Sequence, residues 1–253
     1  MRLIVTRPAA QAQGWVQVLS DLGLQAQALP LIAIAPAPDL AAVQAAWGRL
    51  GKLALVMFVS ANAVHQFFAA RPAQVHWPEG LVAASTGPGT SAALRAQGLT
   101  QVVEPAPDAG QFDSEALWAR LAPQDWNGAQ VLVVRGEDGR DWLADRFSSS
   151  GAQVEFVAAY RRLPPHWSAQ EQDLLAQALA APDRHLWLFS SSQAIAHLRG
   201  LVPLADWSTS AAVASHPRMV QAARDAGFGR VDLIAPSPQA VAEAVRALSQ
   251  ASH

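Results

Sequence analysis

Six short polar stretches hold the residues of this chain that could act on a ligand. They are Thr6-Arg7, Ser60-Ala61-Asn62, Thr86-Gly87-Pro88-Gly89-Thr90, Arg135 to Gly139, Ser190-Ser191-Ser192 and Ser215-His216-Pro217. Each lies between an apolar run and the start of an amphipathic one. Ser, Thr, Asn and Gly at a helix start leave backbone N–H groups unpaired, and the helix dipole adds positive potential. Such places bind carboxylate or phosphate. The same residue types also serve as plain helix caps. Arg7 and Arg135 hold matching positions after a strand, where a guanidinium either clamps a carboxylate through two bonds or forms a structural ion pair. Tyr160 is the only tyrosine. Its phenol can donate a hydrogen bond or a proton, although a reference pKa of about 10 makes it a poor base at neutral pH. His216 could shuttle protons, but it stands where the matching stretch has Gly87, which favours a turn residue. Glu137, Asp138 and Asp141 open a helix and suit its dipole. No Ser-His-Asp spacing and no general acid–base pair stands out. The set is built to hold a ligand, with little reactive machinery.

Composition narrows the classes. The chain has 253 residues, 51% of them apolar and 15% charged, so it can bury more than one core and is not a disordered polymer. A net charge of −2 gives no bulk attraction to nucleic acid or anionic membrane, so an anionic ligand must be bound by local donors. With no cysteine, disulfides, thiol catalysis and thiolate metal sites are excluded. The seven histidines show no HExxH pattern, and Gly87-Pro88-Gly89 is neither GxGxxG nor a Walker sequence. Neither a metal site nor a nucleotide cofactor is expected. The N-terminus enters a strand directly, and no apolar run approaches the roughly 20 residues of a membrane span. The expectation is a soluble, cytoplasmic chain.

Strands alternating with helices position these stretches, and the alternation is written twice. Leu3 to Ile34 and Val131 to Pro165 each run strand, Arg, polar turn, amphipathic helix with a Trp, Gly, strand. FVSANAV (Phe58 to Val64) answers FSSSQAI (Phe189 to Ile195), and STGPGTSAALRAQGL (Ser85 to Leu99) answers SHPRMVQAARDAGF (Ser215 to Phe228). EPAP (Glu104 to Pro107) answers APSP (Ala235 to Pro238). Arg7, Ser60, Pro88 and Pro105 thus recur in order as Arg135, Ser191, Pro217 and Pro236. The fold class is α/β: two similar doubly wound, parallel-sheet domains produced by duplication, facing each other across a cleft. In such sheets ligands sit beyond the carboxyl ends of the strands, which puts all six polar stretches on a functional rim. The spacing predicts a helix from Pro8 to Leu22 with Trp15, Leu19 and Leu22 on one buried stripe. It also predicts a single strand over Gln27 to Ile34 and a helix from Gly139 to Ser149. Tyr160, between a strand and the RRLPP segment, should overlook the interdomain cleft.

VTRP (Val5 to Pro8), SANAV (Ser60 to Val64), GPGT (Gly87 to Thr90), VRGEDGRDWL (Val134 to Leu143), AYRR (Ala159 to Arg162) and SHPR (Ser215 to Arg218) together resemble the uroporphyrinogen-III synthase family. The resemblance covers nearly the whole chain in order. It implies a cofactor-free lyase of tetrapyrrole biosynthesis that closes linear hydroxymethylbilane with loss of water and inverts ring D. The steps it implies are azafulvene formation and a spiro intermediate. It implies two α/β domains joined by a two-stranded linker, with the active site between them. One domain would comprise residues 1–35 plus 166–253 and the other residues 36–165, with linkers near 33–39 and 159–167. The repeat alone would suggest two contiguous halves. By resemblance, Tyr160 assists hydroxyl loss and Thr90 contacts a carboxylate or relays a proton. From their places on the rim, Arg7, Ser60, Ala61, Asn62, Gly87, Gly89, Arg135, Ser190, Ser191, Ser192, His216 and Pro217 are the expected substrate-binding residues. Val59 departs from the family, where Thr often stands. The implied partner is hydroxymethylbilane, handed over by hydroxymethylbilane synthase to a monomer, with no nucleic acid or membrane involved. From the residues alone, a non-catalytic binder of an organic acid stays open.

Overall fold

Apolar runs become strands, and amphipathic runs become the helices between them. The first half comprises β1 (Arg2–Val5), α1 (Ala9–Asp21), β2 (Gln25–Ala28), β3 (Ala33–Pro36), α2 (Leu40–Arg49), β4 (Leu55–Phe58), α3 (Ala61–Ala69), β5 (Val82–Ser85), α4 (Pro88–Ala96), β6 (Val102–Val103) and α5 (Ser114–Leu121). The second comprises β7 (Gln130–Gly136), α6 (Trp142–Ser149), β8 (Gln153–Leu163), α7 (Ala169–Ala180), β9 (His185–Phe189), α8 (Ser192–Leu201), β10 (Ala211–Ala214), α9 (Pro217–Asp225), β11 (Arg230–Leu233) and α10 (Pro238–Gln250). This computed structural model describes residues 1–106 and 113–250, with only the backbone for 248–250. Pro107, the last residue of the EPAP motif, lies outside the described residues.

The chain divides into two compact units, Met1–Ala33 with Leu163–His253, and Ile34–Arg162. The first is built on a sheet of order β11-β10-β9-β1-β2, the second on β3-β8-β7-β4-β5-β6. In the first sheet every neighbouring pair is parallel. In the second the pairs from β8 to β6 are parallel, with β3 beside β8. Central strands such as LVMF (Leu55–Phe58) and HLWLF (His185–Phe189) are buried throughout, as strands covered by helices on both faces must be.

The two orders correspond strand for strand: β2-β1-β9-β10-β11 matches β8-β7-β4-β5-β6. Register fixes the rim equivalences. Val5 lies opposite Leu188, and Val134 lies opposite Phe58. With Ser191 and Ser60 both at helix N-caps, Arg7 and Arg135 then occupy the same place in their sheets. Each unit combines strands from both copies of the sequence repeat.

Local expectations needed three corrections. The single strand over Gln27 to Ile34 is two strands, β2 and β3. Leu29 N–H donates to Val5 O at 3.0 Å and Leu31 N–H to Thr6 O at 3.3 Å, but Pro30 between them has no N–H to continue the ladder. The helix expected from Gly139 begins at Trp142, because Asp141 turns back onto Arg135. On α1, Ala12 and Leu19 are buried, whereas Trp15 and Leu22 are only half-buried. Gly23 closes that helix with φ +81°, a left-handed conformation that favours glycine.

Aromatic packing fills both cores. In the second unit Trp47 stacks on Phe67 with ring centroids 4.7 Å apart and donates Nε1–H to the Phe67 carbonyl at 2.9 Å. Phe58 and Phe68 meet the same cluster. In the first unit Trp187, Phe189, Trp207 and Phe228 interlock in the same way. Each of these rings that is fully buried contributes on the order of 2–3 kcal/mol from transfer out of water, Phe68 being only partly buried. These cores hold the strand ends, and therefore the rims, in place.

Candidate active site

On the second unit's rim, Ser60 meets Tyr160. The ring lies within the unit's core with no exposed surface, packed among residues such as Phe58, Val134 and Ala159. The phenol is thus enclosed. Its hydroxyl lies 3.2 Å from Ser60 Oγ and accepts a bond from Arg162 Nη2 at 3.1 Å. The Arg162 guanidinium also lies 5.6 Å from the ring centroid, within cation–π range.

Gly136 makes room for the ring. A Cβ there would approach Tyr160 Cζ to 3.1 Å and Cε2 to 3.3 Å, closer than ordinary van der Waals contact. Opposite Gly136 the β7–β8 register shifts by one residue, pairing Gly136 with Tyr160 after pairing Arg135 with Ala158. That bulge turns Tyr160 towards the slot.

Ser60 is the N-cap of α3. Its Oγ accepts from Ala63 N–H at 3.2 Å, and the residue is half-buried. Ala61 and Asn62 follow in the first turn and are also half-buried. Gly87 caps α4 in extended conformation, Pro88 occupies the first helical position, Gly89 is exposed, and Thr90 is buried with its N–H bonded to Gly87 O at 3.0 Å. Behind this turn Ser85 Oγ and Ser91 Oγ are 2.6 Å apart, and Ser91 in turn bonds Glu104. The hydrogen bonds from Arg95 and Ser91 draw the Glu104 carboxyl below its usual range.

The two matching arginines differ. Arg135 pairs with Asp141 and lies over the Phe156 ring at 4.1 Å, which is the structural ion pair. Arg7 has no ion pair or hydrogen bond among the described residues. Its guanidinium lies 4.2 Å from the Trp15 ring centre, and its buried Nε meets no acceptor. Burial lowers the Arg7 pKa from the ordinary arginine value, yet the group stays charged at neutral pH. A half-buried cation without an anion is a place where a carboxylate gains most.

On the first unit's rim, Ser190 and Ser191 are half-buried and Ser192 is exposed. Ser191 caps α8 without a side-chain hydrogen bond. His216 is exposed and caps α9, accepting Arg218 N–H on Nδ1 at 3.1 Å, so it serves the helix. Pro217 is the first helical residue behind it. Thus Ser60 and Tyr160 meet on one unit's rim, with Thr90 on that same rim. Arg7, Ser190 to Ser192, His216 and Pro217 belong to the other. Reading the sequence missed Gly136 and the bond from Arg162. The second had a signal, since residues two apart on a strand share a face.

Among the described residues, no three His, Asp or Glu side chains gather as a metal site requires, and no helix is long and apolar enough to cross a membrane.

The profile of the uroporphyrinogen-III synthase HemD family matches residues 13–242, most of both units. The chain belongs to this family. It is 27% identical over 208 residues to a uroporphyrinogen-III synthase of Escherichia coli (strain K12), covering 80% of each chain. To one from Proteus mirabilis it is 32% identical over 164 residues, covering 64% of this chain and 81% of the other. Its fold matches uroporphyrinogen-III synthetase from Helicobacter pylori 26695, with a TM-score of 0.61 over 98% of this chain and 100% of that one at 15% identity. It also matches a mutant synthase from the extremely thermophilic bacterium Thermus thermophilus, with a TM-score of 0.58 over 99% of both chains at 15% identity. Both of these synthases share the α/β fold of this chain.

Proposed function

We propose that this enzyme is a uroporphyrinogen-III synthase, a cofactor-free lyase that closes hydroxymethylbilane to uroporphyrinogen III with loss of water and inversion of ring D. We further propose that it acts as a cytoplasmic monomer on bilane released by hydroxymethylbilane synthase. The observation that carries the reading is the family match across residues 13–242.

The chemistry on the page is consistent with it. A substrate with eight carboxylates needs many donors, and helix N-termini at Ser60, Gly87, Ser191 and His216 supply neutral ones on a protein of net charge −2. Arg7 supplies an uncommitted cation. The bilane closes by itself to the type I isomer, so the enzyme must outrun that reaction. Each tenfold of advantage needs about 1.4 kcal/mol of extra transition-state stabilisation. Holding the chain bent, with the substituted carbon of ring D beside the cationic carbon, supplies much of that. Tyr160 and Thr90 are the proposed catalytic groups.

The test is direct. Purified protein is given freshly made hydroxymethylbilane, and the product is oxidised and its isomer identified. Type III porphyrin is the expected product. Type I alone, at the rate seen without protein, would reject the synthase reading.

A further inference from the structure

We infer that Arg162, Tyr160 and Ser60 form a one-way hydrogen-bond chain that ends on an unused Ser60 O–H, so that Ser60 is the group touching the substrate and Tyr160 acts through it. The inference rests on the synthase reading and deepens it.

Direction follows from donor chemistry. A guanidinium has five N–H donors and no acceptor, so Arg162 Nη2 must donate to the Tyr160 oxygen. The Tyr160 ring has no exposed surface, and its hydroxyl has one other partner among the described residues, Ser60 Oγ. The phenolic hydrogen must therefore go to Ser60, because turning it elsewhere would leave a buried donor unmade. Ser60 Oγ also accepts Ala63 N–H. With both of its acceptor sites used, Ser60 has its own O–H left to give, and no acceptor for it exists among the described residues. Ser60 is half-buried and stands at a helix start at the strand ends, where ligand is expected.

The resulting step balances. Ser60 O–H donates to the departing hydroxyl oxygen of the substrate. As the carbon–oxygen bond breaks with its electron pair on oxygen, that proton completes water, and the Tyr160 proton replaces it on Oγ. The phenolate is left beside Arg162. The pyrrole nitrogen lone pair fills the carbon just vacated. The proton released when the macrocycle closes is taken by Ser60 Oγ, which passes its own proton back to Tyr160, so no acid is consumed. Arg162 is a positioning residue here, as is Gly136, whose missing Cβ admits the phenol.

A double-mutant cycle with a spectroscopic arm tests the chain. Ser60→Gly removes the hydroxyl while keeping most of the N-cap, so the fold is retained. Ser60→Gly and Tyr160→Phe should each lower kcat by on the order of tenfold or more with little change in KM, and together should cost no more than the worse of the two, within about twofold. Ser60→Thr should restore most of the rate. Multiplicative losses, or a normal kcat in Ser60→Gly, would overturn the chain.

The second arm uses no turnover. Tyr160 is the sole tyrosine, so 13C-labelled tyrosine gives one phenol signal by NMR. Its hydroxyl proton should exchange slowly with water in the wild type and quickly in Ser60→Gly, and should persist, shifted, in Arg162→Met. A hydroxyl proton indifferent to Ser60→Gly would mean that Ser60 is not its acceptor. Inactive wild-type protein with the expected NMR pattern would reject the synthase reading and leave the chain of hydrogen bonds standing. Active protein with an indifferent phenol would do the reverse.

Discussion

The two units carry the same sheet with different furniture at its rim. Where the second unit has Gly136, the first has Pro8. Where the second has Tyr160 in the slot, the first has the buried, apolar Ile32. Ser60 holds both a cap bond and the phenol, whereas Ser191 makes no cap bond. The arginines reverse the pattern: Arg135 is committed to Asp141, and Arg7 is uncommitted over Trp15. The two equivalent rims thus differ in side chains: one carries the Ser60–Tyr160–Arg162 hydrogen bonds and the other a cation without an anion among the described residues. Similar backbones teach where a ligand goes; only the side chains say which rim reacts.

Five substitutions test that division, in falling order of effect. Arg7→Met should raise KM by roughly 10- to 100-fold, the scale of a charge-assisted bond, with kcat little changed, whereas Arg135→Met should leave KM within about threefold. Steady-state kinetics checks both, and equal KM effects would erase the contrast. Gly136→Ala should lower kcat by about tenfold, because the phenol must shift by a few tenths of an ångström from Ser60; a crystal structure should show that shift. Ser60→Ala should lower stability by about 1 kcal/mol in urea unfolding through loss of its cap bond, and Ser191→Ala by no more than a few tenths.

The smallest effect is one of pH. Glu104, paired with Arg95, has no counterpart in the other unit, where Ala235 stands at that place and Arg224 bonds the Val231 carbonyl. The folded Glu104 pKa lies below its unfolded one, so its stabilisation is present above the usual carboxylate range. It is lost as pH falls through the lowered value. Glu104→Gln should therefore lower Tm slightly at about pH 7 and not at all at about pH 2, the pair being partly exposed.

Much of this was legible in the sequence. Alternating strand and helix signals, and landmarks repeated at like spacing, gave the α/β class and the rim positions, because both depend on local pattern. Details set by a partner far away were not legible. Tyr160 is enclosed because Gly136 and Ser60, 24 and 100 residues away, shape its slot, and hydrophobic periodicity cannot report that. Pro30 could have been read as a break in the strand, since a missing N–H is a local fact. Arg135 and Asp141 were both noticed, but only the loop that brings them together decides that one satisfies the other. Nor could the sequence tell Arg7 from Arg135, which carry the same chemistry at matching positions.

The measurement closest to the central claim sets Ser60→Gly beside Ser191→Gly under identical conditions, with rate and porphyrin isomer ratio read from hydroxymethylbilane. The division of labour predicts that Ser60→Gly loses on the order of tenfold or more in kcat and yields a larger type I fraction, while Ser191→Gly keeps kcat within about threefold. Equal losses in the two variants would contradict it.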